Sequence, residues 1–328
     1  MSELIYSAWH RTLGYSYFAT DVDFIEVRDN HPIAVIEASI CTPGFPTCDG
    51  SNGVLNRFLR ETGGFQLEVA WWTAKWLNVP AFVICIKDPD NLVHILSLVN
   101  GEQVSISTAD YLSFINEMSK ETNTIERTLT NNPLELYDLL NKLSAVFPGV
   151  GKYPYFANKR VWMNDYRQRL KEVANKVARV PPQTVATPPN YPIKGETTGG
   201  RPREYQNLRN GSPCDYFNVE WVEWRKDNPS QKIGRPAAIL KTIPIDTIKF
   251  SEGEACKVFE GFKQSREFAW WLVTAGMLLV PFYFVVFEAI SARNDMGDQF
   301  WVWEVINKQN QKLIHFTRQD YARFICSL

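Results

Sequence analysis

The sequence predicts an α/β fold built from two similar domains in tandem, each a mixed sheet flanked by helices. Three observations predict it. The chain has 328 residues, which at about 150 residues per domain provides for two separate cores. Four sequence blocks occur twice in the same order, and short apolar runs alternate with helical patterns, as expected for a sheet covered by helices.

The repeated blocks define the two domains. Residues 73–86 and 274–287 share the pattern TA-x-x-L-x-VP, followed by an apolar run. Three further pairs match in order: 23–28 with 220–225, 32–36 with 236–240, and 104–115 with 313–325. We therefore assign a first repeat to residues 1–118 and a second repeat to residues 204–328.

Each repeat is predicted to contain, in order, a helix, a hairpin of two strands, a helix, two further strands and a final helix. The hairpin of the first repeat spans residues 21–39, with its turn at residues 29–32, which places His31 in solvent. The paired tryptophans Trp71-Trp72 and Trp270-Trp271 are interpreted as core residues. Asp110-Tyr111 and Asp320-Tyr321, at helix starts, are interpreted as capping and packing residues.

One apolar stretch is long enough to cross a bilayer. Residues 268–287 carry no charge, and about 20 apolar residues make a membrane span. The matching stretch of the first repeat is interrupted by Lys75 and Asn78, and Pro281 suits a strand start better than a helix interior. We expect a helix ending near Leu278, a buried strand from Pro281, and no membrane partner.

Between the repeats, residues 119–180 are predicted to form a helical middle segment and residues 181–203 a flexible linker rich in proline and glycine. The basic residues at 160–179 fit either a helix that lies along phosphates or a solvated outer face.

Composition limits the function classes. Lys and Arg number 35 against 36 Asp and Glu, a net charge of −1, which argues against a strongly basic nucleic-acid-coating surface. Six cysteines form no CxxC pair, so a zinc site has weak support. The first fourteen residues lack the basic start and apolar core of a signal peptide, so we expect a cytoplasmic protein with reduced thiols.

Asp21, Asp23 and Glu37 of the first hairpin stand in largely apolar strands. Asp21 and Asp23 share one face of the first strand, and a hairpin can set Asp23 beside Glu37. Two carboxylates within reach of one another suit Mg²⁺ or Mn²⁺, with water and phosphate completing the shell. Asp21 and Asp23 could instead bond turn amides at a strand end.

These residues resemble the PD-(D/E)XK nuclease superfamily, in which an Asp on one strand precedes Asp/Glu-x-Lys on the next. The resemblance covers about 110 residues per repeat and implies restriction-endonuclease-like domains. It also implies metal-dependent phosphodiester cleavage, with Asp21, Asp23, Glu37 and Gln66 as candidate catalytic residues and Asp23 and Glu37 as metal ligands. The lysine position of the family holds Ser39. Lys75 or Lys87 could substitute, although each is expected to be an ordinary surface lysine.

The second repeat departs further from this pattern. Asn218, Glu220, Lys241 and Ile243 align with Asp21, Asp23, Glu37 and Ser39, respectively. A lysine in the place of Glu37 puts a cation where a metal ion would sit, so we expect neither metal nor catalysis in the second repeat.

Three functional hypotheses follow. The first is a degenerate nuclease-fold protein that binds DNA, RNA or a partner protein without efficient cleavage. The second is a divalent-metal-dependent endonuclease that acts through the first repeat only. The third is an accessory or structural subunit without nucleic-acid contact. In each case the two repeats are expected to form an intramolecular pseudo-dimer, in which one copy is free to lose its site.

Overall fold

The computed structural model describes residues 2–13, 17–41, 65–87, 91–98, 103–121, 205, 207–210, 212, 214–225, 235–290 and 295–328. The linker predicted at 181–203 lies outside the described residues, as does the helical middle segment predicted at 119–180 apart from residues 119–121.

The described residues form ten strands and six α-helices, with a 3-10 turn at Arg11–Leu13. In chain order they are α1 (Ser2–His10), β1 (Tyr17–Arg28), β2 (His31–Cys41), α2 (Phe65–Leu77), β3 (Ala81–Lys87), β4 (Leu92–Ser97), β5 (Gln103–Ser107), α3 (Thr108–Glu121), β6 (Asp215–Arg225), β7 (Arg235–Asp246), α4 (Glu252–Lys263), α5 (Arg266–Leu278), β8 (Phe282–Ile290), β9 (Asp295–Val305), β10 (Gln311–Thr317) and α6 (Arg318–Ser327). The predicted α/β class with a mixed sheet is confirmed.

Packing divides the chain into two compact units whose boundaries differ from those of the sequence repeats. The C-unit comprises described residues within 2–21 and 219–328, and the N-unit comprises described residues within 22–121 and 205–218. Helix α1 therefore belongs to the C-unit. The helical turn in which Arg209 N donates to Tyr205 O (3.0 Å) belongs to the N-unit. Each unit combines most of one repeat with the amino-terminal segment of the other.

In the C-unit the strands follow the order β6-β7-β8-β9-β10, with β7 and β8 parallel and the other neighbouring strands antiparallel. Alternate residues of β8 serve two cores. On one face, Tyr283, Val285 and Phe287 pack with residues of α1 and α6. On the other face, Phe284 contacts Phe259 of α4 (ring centroids 5.2 Å apart), and Phe282 stacks on Trp271 of α5 (5.1 Å). The sheet is covered on both faces.

In the N-unit the order is β1-β2-β3-β4-β5, again with one parallel pair, β2 with β3. Helix α3 packs Tyr111 and Ile115 against Ile36, Ile84 and other residues of the same face. Helix α2 packs on β2 and β3. All four tryptophans of the pairs in α2 and α5 are buried, which confirms their interpretation as core residues.

The element boundaries agree with several predictions. The turn at Asp29 and Asn30 joins β1 to β2, and both residues adopt positive φ, which Asn and Asp tolerate in turns. His31 is exposed, as predicted. The apolar stretch 268–287 divides into the end of α5 at Leu278 and β8 from Phe282, which confirms a helix followed by a strand. Within the described residues, no helix has both the length and the apolar character of a membrane span.

The structure adds elements that the sequence prediction omitted. Two strands are predicted directly before the final helix of each repeat, and the structure has a third one there, β5 or β10. The C-unit also has the additional helix α4. The strands β5 and β10 occupy the ends of their strand orders and are mostly half-buried or exposed, so no clear apolar face marks them in the sequence. Helix α4 contains Gly253 and Gly261, and glycine weakens a helical pattern.

The helices α3 and α6 begin in the same way. Ser107 Oγ accepts from Asp110 N (3.1 Å) and donates to Asp110 Oδ2 (2.7 Å), and Thr317 and Asp320 repeat both bonds at 3.2 and 2.8 Å. These are reciprocal capping interactions. The predicted capping role of the aspartates thus takes the form of support for the hydroxyl that caps the helix.

Candidate functional site

The N-unit brings two carboxylates to facing strand positions. Phe24 of β1 lies opposite Ile36 of β2, so the antiparallel register, extended by one residue, sets Asp23 opposite Glu37. Directly opposite residues project from the same face. Asp23 Oδ2 accepts a hydrogen bond from the backbone N–H of Ala38 (2.9 Å). Glu37 is only 3% exposed and Asp23 is partly buried. The result is an acidic pair at the base of the hairpin.

The C-unit places an acid and a base at the corresponding positions. Trp221 lies opposite Leu240, so Glu220 is opposite Lys241. Glu220 Oε2 accepts from the backbone N–H of Thr242 (2.9 Å), the same bond that Asp23 makes with Ala38. The shared bond and register make Asp23 equivalent to Glu220, and Glu37 equivalent to Lys241. The alignment of these positions in the sequence therefore holds in space.

Lys241 is enclosed by carboxylates. Its Nζ lies 2.7 Å from Glu220 Oε1 and 3.4 Å from Glu267 Oε1 of α5. Burial lowers the pKa of Lys241, but the charges and hydrogen bonds of Glu220 and Glu267 outweigh burial and raise this pKa above its ordinary value. The ammonium is therefore a permanent internal cation at neutral pH.

Neighbouring side chains complete the C-unit cluster. Thr242 Oγ1 donates to Glu220 Oε2 (3.0 Å) and accepts from Trp221 Nε1 (3.2 Å), while Trp271 Nε1 donates to Glu267 Oε1 (2.9 Å). The N-unit has Ala38 at the position of Thr242 and Phe24 at that of Trp221, and neither side chain has a polar atom. Asp23 consequently lacks the two side-chain bonds that fix Glu220 through Thr242.

Lys75 is buried, so the prediction that it is an ordinary surface lysine is wrong. Lys75 lies on α2 and is 8% exposed. Its Nζ lies 5.1 Å from the ring centroid of Trp71. A cation over an indole face is attracted by the ring quadrupole, and the aliphatic stem packs with the core. In the second repeat, counting from the shared Thr-Ala pair, the same position is Gly276.

The other predicted site residues are placed less fully. Asp21 is half-buried on β1, two residues before Asp23. Gln66 stands near the start of α2, at the position that Glu267 takes in α5, and Ser39 pairs with Cys85 along β2 and β3. The side chains of Gln66, Ser39 and Lys87 lie outside what the structure describes.

The acidic pair of the N-unit, Asp23 and Glu37, offers two carboxylates to a metal ion. Among the described residues, no three His, Cys, Asp or Glu side chains form a metal-binding group. Mg²⁺ commonly uses only one or two protein carboxylates and takes water and phosphate as its remaining ligands. The carboxylate oxygens of Asp23 and Glu37 therefore suit Mg²⁺ or Mn²⁺ as ligands, whereas the ammonium of Lys241 repels any cation from the equivalent place in the C-unit.

Sequence reasoning missed two further buried carboxylates, Glu26 in the N-unit and Glu223 in the C-unit. Both are fully buried. The signal was available, because the matching blocks 23–28 and 220–225 carry the same Glu-x-Arg ending. A glutamate kept in the apolar strand of both blocks calls for a buried partner in both units.

Comparison of the chain with protein-family models, with curated proteins and with solved structures gives no match in any of the three.

Proposed function

We propose that this chain is a nuclease-fold protein with two restriction-endonuclease-like domains that binds nucleic acid or a partner protein without efficient cleavage. The observation that carries the proposal is the position of Lys241, whose ammonium lies 2.7 Å from Glu220 at the strand position of Glu37. An internal cation fills the place that a catalytic metal ion would need in the C-unit.

The N-unit supports the same proposal in a different way. It keeps the acidic pair, but Ser39 stands where the family resemblance expects a lysine. Such a lysine positions the attacking water and stabilises developing negative charge. Loss of one preorganised donor costs about 10²–10³ in rate, by analogy with oxyanion-hole variants. Weak cleavage at most is expected from this unit.

The exchange of amino-terminal segments supports an interdependence of the two repeats. Each unit's core includes a tyrosine from the segment before the other repeat's hairpin, Tyr6 in the C-unit and Tyr205 in the N-unit. Removal of one copy would leave both cores incomplete. A second repeat without catalysis would therefore be retained because the N-unit core needs its amino-terminal segment, while its own site is free to change.

A metal-dependent endonuclease acting through the N-unit is the second candidate, because Asp23 and Glu37 face each other as a carboxylate pair. A bound Mg²⁺ or Mn²⁺ would polarise the phosphodiester and lower the pKa of an attacking water. Asp23 and Glu37 would hold the ion and orient it toward the substrate. The buried ammonium of Lys75 is the candidate substitute for the family's lysine.

The test compares binding and cleavage on the intact chain. Single- and double-stranded DNA and RNA are offered at low salt with Mg²⁺ or Mn²⁺, and binding is followed by fluorescence anisotropy. The variants are Ser39→Lys, to restore the lysine, and Ser39→Lys with Glu37→Gln as its matched control. The proposal predicts little turnover by the natural chain and measurable turnover by Ser39→Lys that disappears in the double variant.

Other outcomes select the alternatives. Metal-dependent cleavage by the natural chain that Glu37→Gln abolishes would establish the endonuclease. A chain that neither binds nor cleaves any of these nucleic acids would exclude the nucleic-acid branch, and co-purification with a stoichiometric protein would then decide between a partner-binding scaffold and an accessory subunit.

A further inference from the structure

The C-unit buries a cluster of ionisable side chains around Glu223, away from the Lys241 site. Helix α1 contributes Tyr6 and His10: the Tyr6 hydroxyl donates to Glu223 Oε1 (3.4 Å), and His10 Nε2 lies 2.9 Å from Glu223 Oε2. Arg225, two residues along β6, donates to Glu223 Oε2 (3.2 Å) and to the carbonyl of Ile325. The cluster thus fastens α1 to the sheet.

The N-unit builds the corresponding cluster around Glu26. Arg209 Nε donates to Glu26 Oε1 (2.6 Å) and Arg209 Nη2 donates to Glu26 Oε2 (2.5 Å), a bidentate pair. The Tyr205 hydroxyl also donates to Glu26 Oε1. Tyr205 and Tyr111 hydroxyls lie 3.3 Å apart, as Tyr6 and Tyr321 hydroxyls do at 3.2 Å in the C-unit.

The two clusters occupy equivalent positions. Glu26 lies opposite Ala34 and Glu223 opposite Ala238, and in both hairpins the register shifts at the following residue. Tyr111 and Tyr321 both stand one residue after the aspartate of their capping pairs. The segments that fill the two sites share a pattern: tyrosine, two residues, an apolar residue, then a base, as Tyr6-x-x-Trp9-His10 and Tyr205-x-x-Leu208-Arg209.

We propose that the Glu223 and Glu26 faces are matched recognition sites for a helical Tyr-x-x-apolar-basic turn, and that the C-unit site is the exchangeable one. In this chain each site is filled by the amino-terminal segment of the other repeat. The tyrosine and the apolar residue enter the core, and the base meets a carboxylate that is fully buried. A turn with an acid in place of the base would set a second carboxylate against the buried one, which makes the site selective.

The source of the charge partners explains why the sites differ. The partners of Glu26 described above, Tyr205 and Arg209, both lie in the segment that would leave. Glu223 has Arg225 on its own strand, which stays when α1 leaves. Vacating the C-unit site therefore leaves Glu223 with the buried Arg225, whereas vacating the N-unit site removes the buried guanidinium of Arg209. Arg28, the counterpart of Arg225, is more exposed and lies 3.8 Å from Asp29. Helix α1 behaves as a tethered ligand that a second segment of the same pattern can replace.

The test uses the intact chain and a synthetic peptide of residues 2–13. Hydrogen exchange is measured on the chain with and without a large excess of peptide. Competition predicts that the amides of α1 exchange at least about ten-fold faster with peptide, while those of residues 207–210 are unchanged, because a tethered ligand is displaced only by mass action. A control peptide with His10→Glu should have no effect. Exchange of α1 that is the same with either peptide or with none overturns the proposal.

A second measurement tests the vacant site. In the chain with Tyr6→Ala and Trp9→Ala, α1 loses two of its anchors, so a fluorescent peptide of residues 2–13 should bind saturably and at least about ten-fold more tightly than to the natural chain. Equal binding to both chains would contradict the proposal. If the double variant fails to fold, the hydrogen-exchange experiment on the natural chain decides.

Discussion

The N-unit and the C-unit present the same pair of strand positions with opposite electrostatics. In the C-unit, Glu220 faces Lys241, and Glu267 adds a second carboxylate 3.4 Å from the ammonium. In the N-unit, the equivalent residues are Asp23 and Glu37, two acids. The comparison shows that one fold position can be neutralised by a side-chain cation or kept acidic, and only the acidic form suits an external ion.

The largest expected effect follows from removal of the internal cation. Lys241→Met would leave Glu220 and Glu267 close together without the ammonium, and breaking a buried pair in this way costs about 3–5 kcal/mol. Denaturant unfolding followed by circular dichroism measures the loss. Lys257→Met is the control, because this lysine is exposed and 3.7 Å from Glu254, so it should change little. A Lys241→Met chain within about 1 kcal/mol of the natural one would show that the cluster contributes little.

The converse substitution makes the N-unit resemble the C-unit. Glu37→Lys should place an ammonium opposite Asp23 and exclude an external cation. The natural chain should gain about 2.7 kcal/mol at a free Mg²⁺ concentration of 100 times Kd, whereas the variant should gain nothing. Unfolding with and without the ion measures both. Asp29→Asn, at the exposed turn, should keep the full response; an ion response that survives Glu37→Lys would place the ion elsewhere.

The buried tyrosines test whether the Glu26 cluster of the N-unit and the Glu223 cluster of the C-unit exclude solvent equally well. Burial raises the pKa of Tyr6, Tyr321, Tyr111 and Tyr205 above the ordinary value of 10.0. The folded chain therefore holds protons that the unfolded chain releases above pH 10, so the contribution to the unfolding free energy is complete below pH 10. It falls by about 1.4 kcal/mol per pH unit for each group as pH rises further.

Near-ultraviolet titration of tyrosinate measures this property directly. These four side chains should stay neutral while exposed tyrosines ionise, and all tyrosines should titrate together in denaturant. Early ionisation of the Tyr6 and Tyr321 pair alone would show that the C-unit cluster opens more readily than that of the N-unit.

The smallest expected effects come from the matched helix caps. Ser107→Ala and Thr317→Ala each remove the hydroxyl that accepts from an aspartate N–H, and loss of such a cap costs about 1 kcal/mol. Equal losses would show that the two helices begin with equivalent energetics. Substitution by Gly, a few tenths of a kcal/mol less favourable than the natural cap, is the control for local backbone effects.

The hairpin, the helix that ends at Leu278 and the equivalence of Glu37 with Lys241 could be predicted, because repeated blocks and apolar patterns are local properties of the sequence. The burial of Lys75 could not, since a lone lysine in a helix is usually exposed and its cation–π contact with Trp71 depends on tertiary packing. The exchange of α1 and of residues 205–209 was likewise hidden. The local pattern Tyr6-x-x-Trp9-His10 does not predict which strands the segment packs against.

The most direct test of the central claim is calorimetric titration of the intact chain with Mg²⁺ or Mn²⁺, alongside Glu37→Ala. We expect the acidic pair of the N-unit to bind about one ion per chain and Glu37→Ala to abolish this binding, with Lys241 excluding metal from the equivalent place in the C-unit. Absence of binding in the natural chain, or binding that Glu37→Ala leaves unchanged, would contradict this claim.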